Sequence, residues 1–183
     1  MTDMATRFRA VAARFTETLD AVPPDKWESP APCEGWVARD VVRHLVEWVP
    51  GFFAAFGGLA FPAGPSPDDD PAGAWAVLRD HLQALLDDDA AATRLIESPT
   101  GPAPLADVIG AFVMGDVLVH TWDLARAAGL DESLDADEVH GMYEGMLPMD
   151  AALRASGHFG PRVEVPEDAD EQTKLLAFTG RQP

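Results

Sequence analysis

Residues 105–128 read LADVIGAFVMGDVLVHTWDLARAA, with the prolines of ESPTGPAP (97–104) ahead of them and Gly129 directly after. The apolar residues recur at the three-and-four spacing of a helix, not the alternation of a strand. Prolines before the first turn and a glycine beyond the last are helix start and stop signals. This is the longest periodic stretch in the chain, and it sets the expectation of a helical fold.

The flanking sequence supplies partners for it. Residues 3–22 place Phe8, Val11, Ala12, Phe15 and Leu19 at helical spacing, and Pro23 and Pro24 end that element. WESPAPCEGW (27–36) carries two prolines and a glycine, so it reads as a structured loop with tryptophan anchors at its ends. A second helix is expected from about residue 38 to 58, kinked at Pro50. AFPAGPSPDDDP (60–71) is a connection, and Trp75, Leu78, Leu82, Leu85 and Leu86 mark a third helix ending near Asp89. Beyond Gly129 the pattern predicts one helix from Asp135 to about Ala155 and a short one from Ala169 to Phe178, with PRVEVP (161–166) extended between them. No internal repeat is visible, and strand content should be minimal. The expected fold is all-α: a four-helix bundle with extra short C-terminal helices, in one domain spanning 1–183.

Composition narrows the function. With 47% hydrophobic and 24% charged residues the chain can bury an ordinary core. No stretch approaches 18 uninterrupted apolar residues, and MTDMATRFRA lacks a signal core, so a cytoplasmic protein without a membrane partner is expected. The single cysteine, Cys33, rules out an internal disulfide and a cysteine-rich zinc module, leaving nitrogen and oxygen as metal ligands. A formal charge of −18, with scattered cations, would repel a phosphate backbone, so nucleic acid is not an expected partner. The runs Asp68 to Asp70 and Asp87 to Asp89 match no calcium-loop spacing and read as solvated carboxylates at loops and helix ends.

The inward-facing polar residues are the informative ones. On the second helix Val41, Leu45, Trp48 and Phe52 define the apolar stripe, and at 100° per residue His44 falls about 60° from Val41. On the fourth, His120 lies about 20° and Asp116 about 60° from the line of Val113. Asp116 and His120 are four apart, so they stack on one face and can share an ion. An inward carboxylate needs compensation, because burying it unpaired costs several kcal/mol. Spacing leaves two sources open: a cation held by all three residues, or hydrogen bonding alone, with His44 a core histidine and Asp116 paired to His120 or an arginine.

PCEGWVARDVVRHLVEW (32–48) resembles the Pro-Cys-x-Gly-Trp and Asp-Val-x-x-His-Leu block of the DinB/YfiT-like superfamily, in its mycothiol-dependent maleylpyruvate isomerase N-terminal branch. GDVLVHTWDLARAAG (115–129) is similar to that branch's second signature, and the tail from Phe159 to Pro183 to the ending of a metal-binding subfamily. The resemblance implies a four-helix bundle with one metal ion, typically zinc, held by His44, Asp116 and His120. It departs from the isomerase in having Asp116 where that enzyme has Glu, which raises Asp123 as a substitute ligand or a partner behind the ligands. It also implies an open fourth position for a thiolate from mycothiol or a related low-molecular-weight thiol, which attacks a small-molecule electrophile, making the chain a thiol-dependent transferase or isomerase. The chain ends soon after the bundle, without the isomerase's further domain, so maleylpyruvate itself is not the expected substrate. A metal-dependent hydrolase and a non-catalytic metal-dependent binding or regulatory module remain alternatives, and a homodimer remains open.

Other residues carry weaker signals. His140 and Glu144 form a second i, i+4 pair, read as a surface pair. Cys33 reads as a small packed residue, Glu47 as a solvated carboxylate, and Trp36, Trp48 and Trp122 as core or anchor residues that could alternatively line a pocket.

Overall fold

The computed structural model describes residues 3–156 and 159–183. Helix α1 (Asp3–Asp20) buries Phe8, Val11, Phe15 and Leu19 along one face. Helix α2 (Ala38–Phe56) begins where the Asp40 carboxylate accepts the Val37 N–H at 2.9 Å, and it buries Val41, Leu45, Val49 and Phe53. It runs through Pro50 as one helix. Helix α3 (Pro71–Asp87) starts with proline in its first turn, and the Asp70 side chain caps it by accepting from the Gly73 N–H at 2.8 Å.

Helix α4 (Leu105–Ala128) is continuous but not uniform. Its first turn, Leu105–Val108, is α-helical, Ile109–Met114 is wound as a π-helix, and Gly115–Ala128 is α-helical again. Gly129 ends it at φ +72°, the left-handed cap position that glycine adopts without strain. Alone among the described helices, α4 has the length and apolarity of a membrane span, and 67% of that window is buried against the rest of the protein. Its apolarity is that of a helix enclosed on nearly all sides: from Val117 to Ala128 only Arg126 is exposed.

Helices α1 and α2 each pack against both α3 and α4, so four long helices close a ring around one apolar interior. Phe8, Phe15, Leu45, Phe53, Trp75, Leu82, Ile109 and Leu124 fill it with almost no exposed surface. Trp75 meets Phe15 at 4.5 Å between ring centroids, and its indole N–H donates to Thr16 Oγ1 at 2.8 Å. Truncating one of these side chains to alanine costs about 2–5 kcal/mol in cores of this density. Strand structure among the described residues is a two-residue antiparallel pair, Leu95–Ile96 with Ala103–Pro104, and one bridge between Pro30 and Val37.

The C-terminal third departs from the sequence expectation. One helix was predicted from Asp135 to Ala155, but the chain forms α5 (Ala136–Met146), a 3-10 turn at Leu147–Met149 and α6 (Asp150–Ser156). Pro148 sits in that turn and supplies no N–H for an α-helical bond. Helix α7 (Glu171–Phe178), capped by Asp170, packs on α5, and α5 packs on α4. The acidic runs have local partners: Asp68 pairs with Arg43, Asp87 with Arg9, and Asp88 caps the turn Asp89–Ala92.

Candidate metal centre

His44 lies in the middle of α2, and Asp116 and His120 lie in the first turns of α4 beyond its π-helical segment. The α2–α4 contact brings the three together, with one ligand atom from each inside a 4.8 Å span. His44 Nε2 is 3.1 Å from Asp116 Oδ2, His120 Nε2 is 3.4 Å from Asp116 Oδ1, and the two imidazole centroids are 4.8 Å apart. Metal–ligand bonds of 2.0–2.1 Å at tetrahedral angles put neighbouring donors about 3.3–3.4 Å apart. The residues present therefore fit a zinc-sized ion with little rearrangement.

The cluster is open on one side. The His44 and Asp116 side chains are 26% and 27% exposed, whereas that of His120 is 5% exposed. Trp36, delivered by the loop ahead of α2, stacks on the His120 ring at 5.7 Å and tilts against His44 at 5.1 Å. Trp48 stacks on His44 from the next turn of α2, at 5.9 Å. Two of the three tryptophans picked out in the sequence thus wall the imidazoles, while Trp122 is buried under Arg126. A concavity of about 230 Å³ bounded by Val46, Pro50, Phe61 and Val77 includes none of the three cluster residues.

Burial works against charge at Asp116, but the His120 imidazole, by charge and hydrogen bond, and then His44 outweigh it and hold the carboxyl well below the usual carboxylate range. Burial likewise opposes charge on His120, and the two carboxylates beside it win, raising it to about 9. In the metal-free protein His120 is therefore an imidazolium at neutral pH, so an ion at its Nε2 must displace a proton.

Asp123 stands apart from the donor set of His44, Asp116 and His120. It does not face the cluster: its Oδ2 lies 2.8 Å from His120 Nδ1, behind the ring, and it has no exposed surface. Arg181 binds it through Nη2 to Oδ2 at 2.6 Å and Nε to Oδ1 at 3.0 Å. Cys33 Sγ sits 3.6 Å from the same Oδ2. Cys33, His120 and Asp123 also lie close enough together to hold an ion, but the Arg181 guanidinium already occupies the carboxylate that such an ion would need. Burial first and then the Asp123 charge push the Cys33 thiol up to about 12.

Sequence reading missed Arg181, which lies 58 residues beyond Asp123 and had no spacing to announce it. It also paired His140 with Glu144, whereas the His140 ring bonds Glu171 on α7 at 3.1 Å, at the surface. Glu47 is exposed, as expected.

Fold and cluster together define a class of helical protein in which two packed helices present a His, Asp, His donor set to one point. The chain belongs to the mycothiol maleylpyruvate isomerase N-terminal domain family, whose description matches residues 8–125. It is similar along most of its length to two Mycobacterium tuberculosis proteins, the uncharacterized proteins MT0763 of strain CDC 1551 / Oshkosh and Rv0738 of strain H37Rv. Each is 29% identical over 181 residues, covering 91% of either chain. No solved structure gives a significant match.

Proposed function

We propose that this protein is a cytoplasmic, DinB-like four-helix bundle that holds one divalent ion, of zinc type, through His44, Asp116 and His120. With that ion it joins a low-molecular-weight thiol of the mycothiol kind to a small electrophile, as a transferase or isomerase. The observation that carries the reading is the spacing of the three donors, 3.1 and 3.4 Å from histidine nitrogen to carboxylate oxygen, on the exposed side of two packed helices. The family supports the thiol. Bound there, the ion would lower the pKa of a thiol so that its thiolate is available at neutral pH.

The protein's own residues supply the rest. His44 and Asp116 form the face that a cosubstrate can reach, and His120 anchors the buried side. Trp36 and Trp48 cover the imidazole faces and keep water from the ring planes. Asp116, Asp123 and Arg181 sum to one negative charge, so a divalent ion held by neutral imidazoles leaves the site one positive charge, which an anionic thiolate neutralises. The chain's formal charge of −18 favours an uncharged electrophile over an anionic one.

The test is elemental analysis of the purified protein, followed by thiol consumption with mycothiol and a chromogenic aryl halide, with and without zinc. Zinc-dependent, saturable thiol loss is the expected result. Absence of bound metal would overturn the reading at its base. Tight zinc binding without turnover of any thiol would leave a metal-binding module, and zinc-dependent ester cleavage without thiol would make the protein a hydrolase.

A further inference from the structure

His120 is held at both ring nitrogens, and the two holders differ in kind. Nε2 faces Asp116 across 3.4 Å on the open side. Nδ1 meets Asp123 at 2.8 Å, where nothing is exposed. Asp123 is fixed in turn: Arg181 grips both its oxygens, with Nε 3.0 Å from Oδ1 and Nη2 2.6 Å from Oδ2, and the Cys33 thiol lies 3.6 Å from Oδ2. Arg181 reaches this point because α7 ends at Phe178 and Gly180, two residues on, has a φ of +88° that turns the tail back, and the Arg181 N–H closes on the Leu176 carbonyl at 3.0 Å.

The geometry points to Asp123 and Arg181 as positioning residues, a clamp that fixes the His120 ring with Nδ1 engaged and Nε2 as the one ring nitrogen turned toward Asp116 and His44. Asp123 acts on the ring directly, and Arg181 acts through Asp123 without touching His120. A half-turn of the ring about Cβ–Cγ would replace Nδ1 by a carbon in front of a buried carboxylate. That arrangement leaves a charged acceptor short of a donor and is strongly disfavoured. The guanidinium fork suits the task, since it spans both oxygens and keeps the carboxylate plane from rotating, which a lysine cannot do. It also neutralises Asp123, leaving Asp116 as the carboxylate that stands between the two imidazoles. The orientation of the ring rests on these bonds alone; only the use made of Nε2 rests on the metal reading above.

The test separates the two claims. In the metal-free, 15N-labelled protein the His120 Nδ1–H should give a slowly exchanging proton signal well downfield of the amides. Asp123→Ala should abolish it and weaken zinc binding by roughly 10- to 100-fold, the usual effect of removing a partner behind a metal ligand. Arg181→Met should speed its exchange and weaken zinc binding in the same direction, while Arg7→Gln, which breaks the Arg7–Glu138 pair elsewhere, should change neither. If Asp123→Ala fails to fold, the double variant Asp123→Asn, Arg181→Gln keeps a neutral hydrogen-bonded pair and should still show faster proton exchange. A folded Asp123→Ala or double variant with an unchanged ring proton would overturn the clamp. If the wild type shows the proton, the variants lose it and no zinc binds to any of them, the clamp stands and the metal reading falls.

Discussion

Replacing His44 by alanine is the cleanest perturbation of the cluster. Its side chain is 26% exposed, with a single 3.1 Å polar contact to Asp116, so the metal-free variant should lose no more than about 1 kcal/mol. An ion that binds only the folded state adds about 2.7 kcal/mol at a hundredfold excess over its Kd. Unfolding entropy of about 2.1 cal/mol/K per residue converts that, for 183 residues, into a rise in Tm of about 7 °C. Loss of one of three ligands that weakens binding about 100-fold leaves free zinc near the new Kd, where the gain is about 0.4 kcal/mol, or about 1 °C. The assay is a set of four calorimetric melts, wild type and H44A, each with and without zinc at one fixed free concentration. Equal zinc-induced shifts in the two proteins would refute the assignment of His44 as a ligand. H120A is a poorer probe, because His120 is buried and its removal strips a partner from Asp123. With Arg181 still paired to Asp123, that should cost the metal-free protein about 1–3 kcal/mol before any metal is added.

Zinc affinity should strengthen as pH rises from 6 toward 9, because the ion must displace a proton from His120, whose pKa is raised to about 9; a pH-independent Kd, by competition with a chelator of known affinity, would contradict this. For the metal-free protein the raised His120 contributes stability that is complete below its unfolded pKa of about 6.5 and lost as pH climbs through about 9. Asp123, lowered to about 2 by the His120 and Arg181 hydrogen bonds against its burial, contributes above about 3.9 and loses that contribution toward pH 2, so urea midpoints should peak between about pH 4 and 6.5. Gly129→Ala should destabilise by about 1–2 kcal/mol through its positive φ alone, since an added Cβ meets nothing within 4 Å, and it should leave the zinc-induced shift unchanged. Cys33, with its thiol pushed up to about 12, should resist iodoacetamide at pH 8 in the native protein and react only on denaturation; rapid native labelling would show that its burial and the Asp123 charge do not act as described.

The long helices were legible because each carries both a period and a boundary. Pro23 and Pro24 end α1, Asp70 and Pro71 open α3, and Gly129 closes α4. His44, Asp116 and His120 could be grouped because helical phase turns them inward, and the α2–α4 contact converts shared phase into proximity. Phase could not say which carboxylate stands in front of His120: Asp116 and Asp123 lie at i−4 and i+3 of one helix, and their separation onto the two ring nitrogens depends on the ring's rotamer. Arg181 lay beyond local rules altogether, because its place is set by how α7 docks on α5. The split after Met146 was legible in principle, as Pro148 inside a helical pattern is a break signal.

The π-helical turn at Ile109–Met114 is, in evolutionary terms, a stored insertion. Each of its bonds spans five residues instead of four, so the segment accommodates one residue more than a plain α-helix of equal length. Rewound as plain α-helix with all six residues kept, the segment would carry everything beyond it on by about 100° relative to Leu105–Val108, and Asp116 and His120 would swing away from His44. Deleting one residue and closing the segment into α-helix would instead leave their phase nearly as it is. The wide turn is thus what lets the chain carry the extra residue and keep the cluster. Among relatives, a one-residue gap at this point is compatible with the same three-residue cluster on a regular helix.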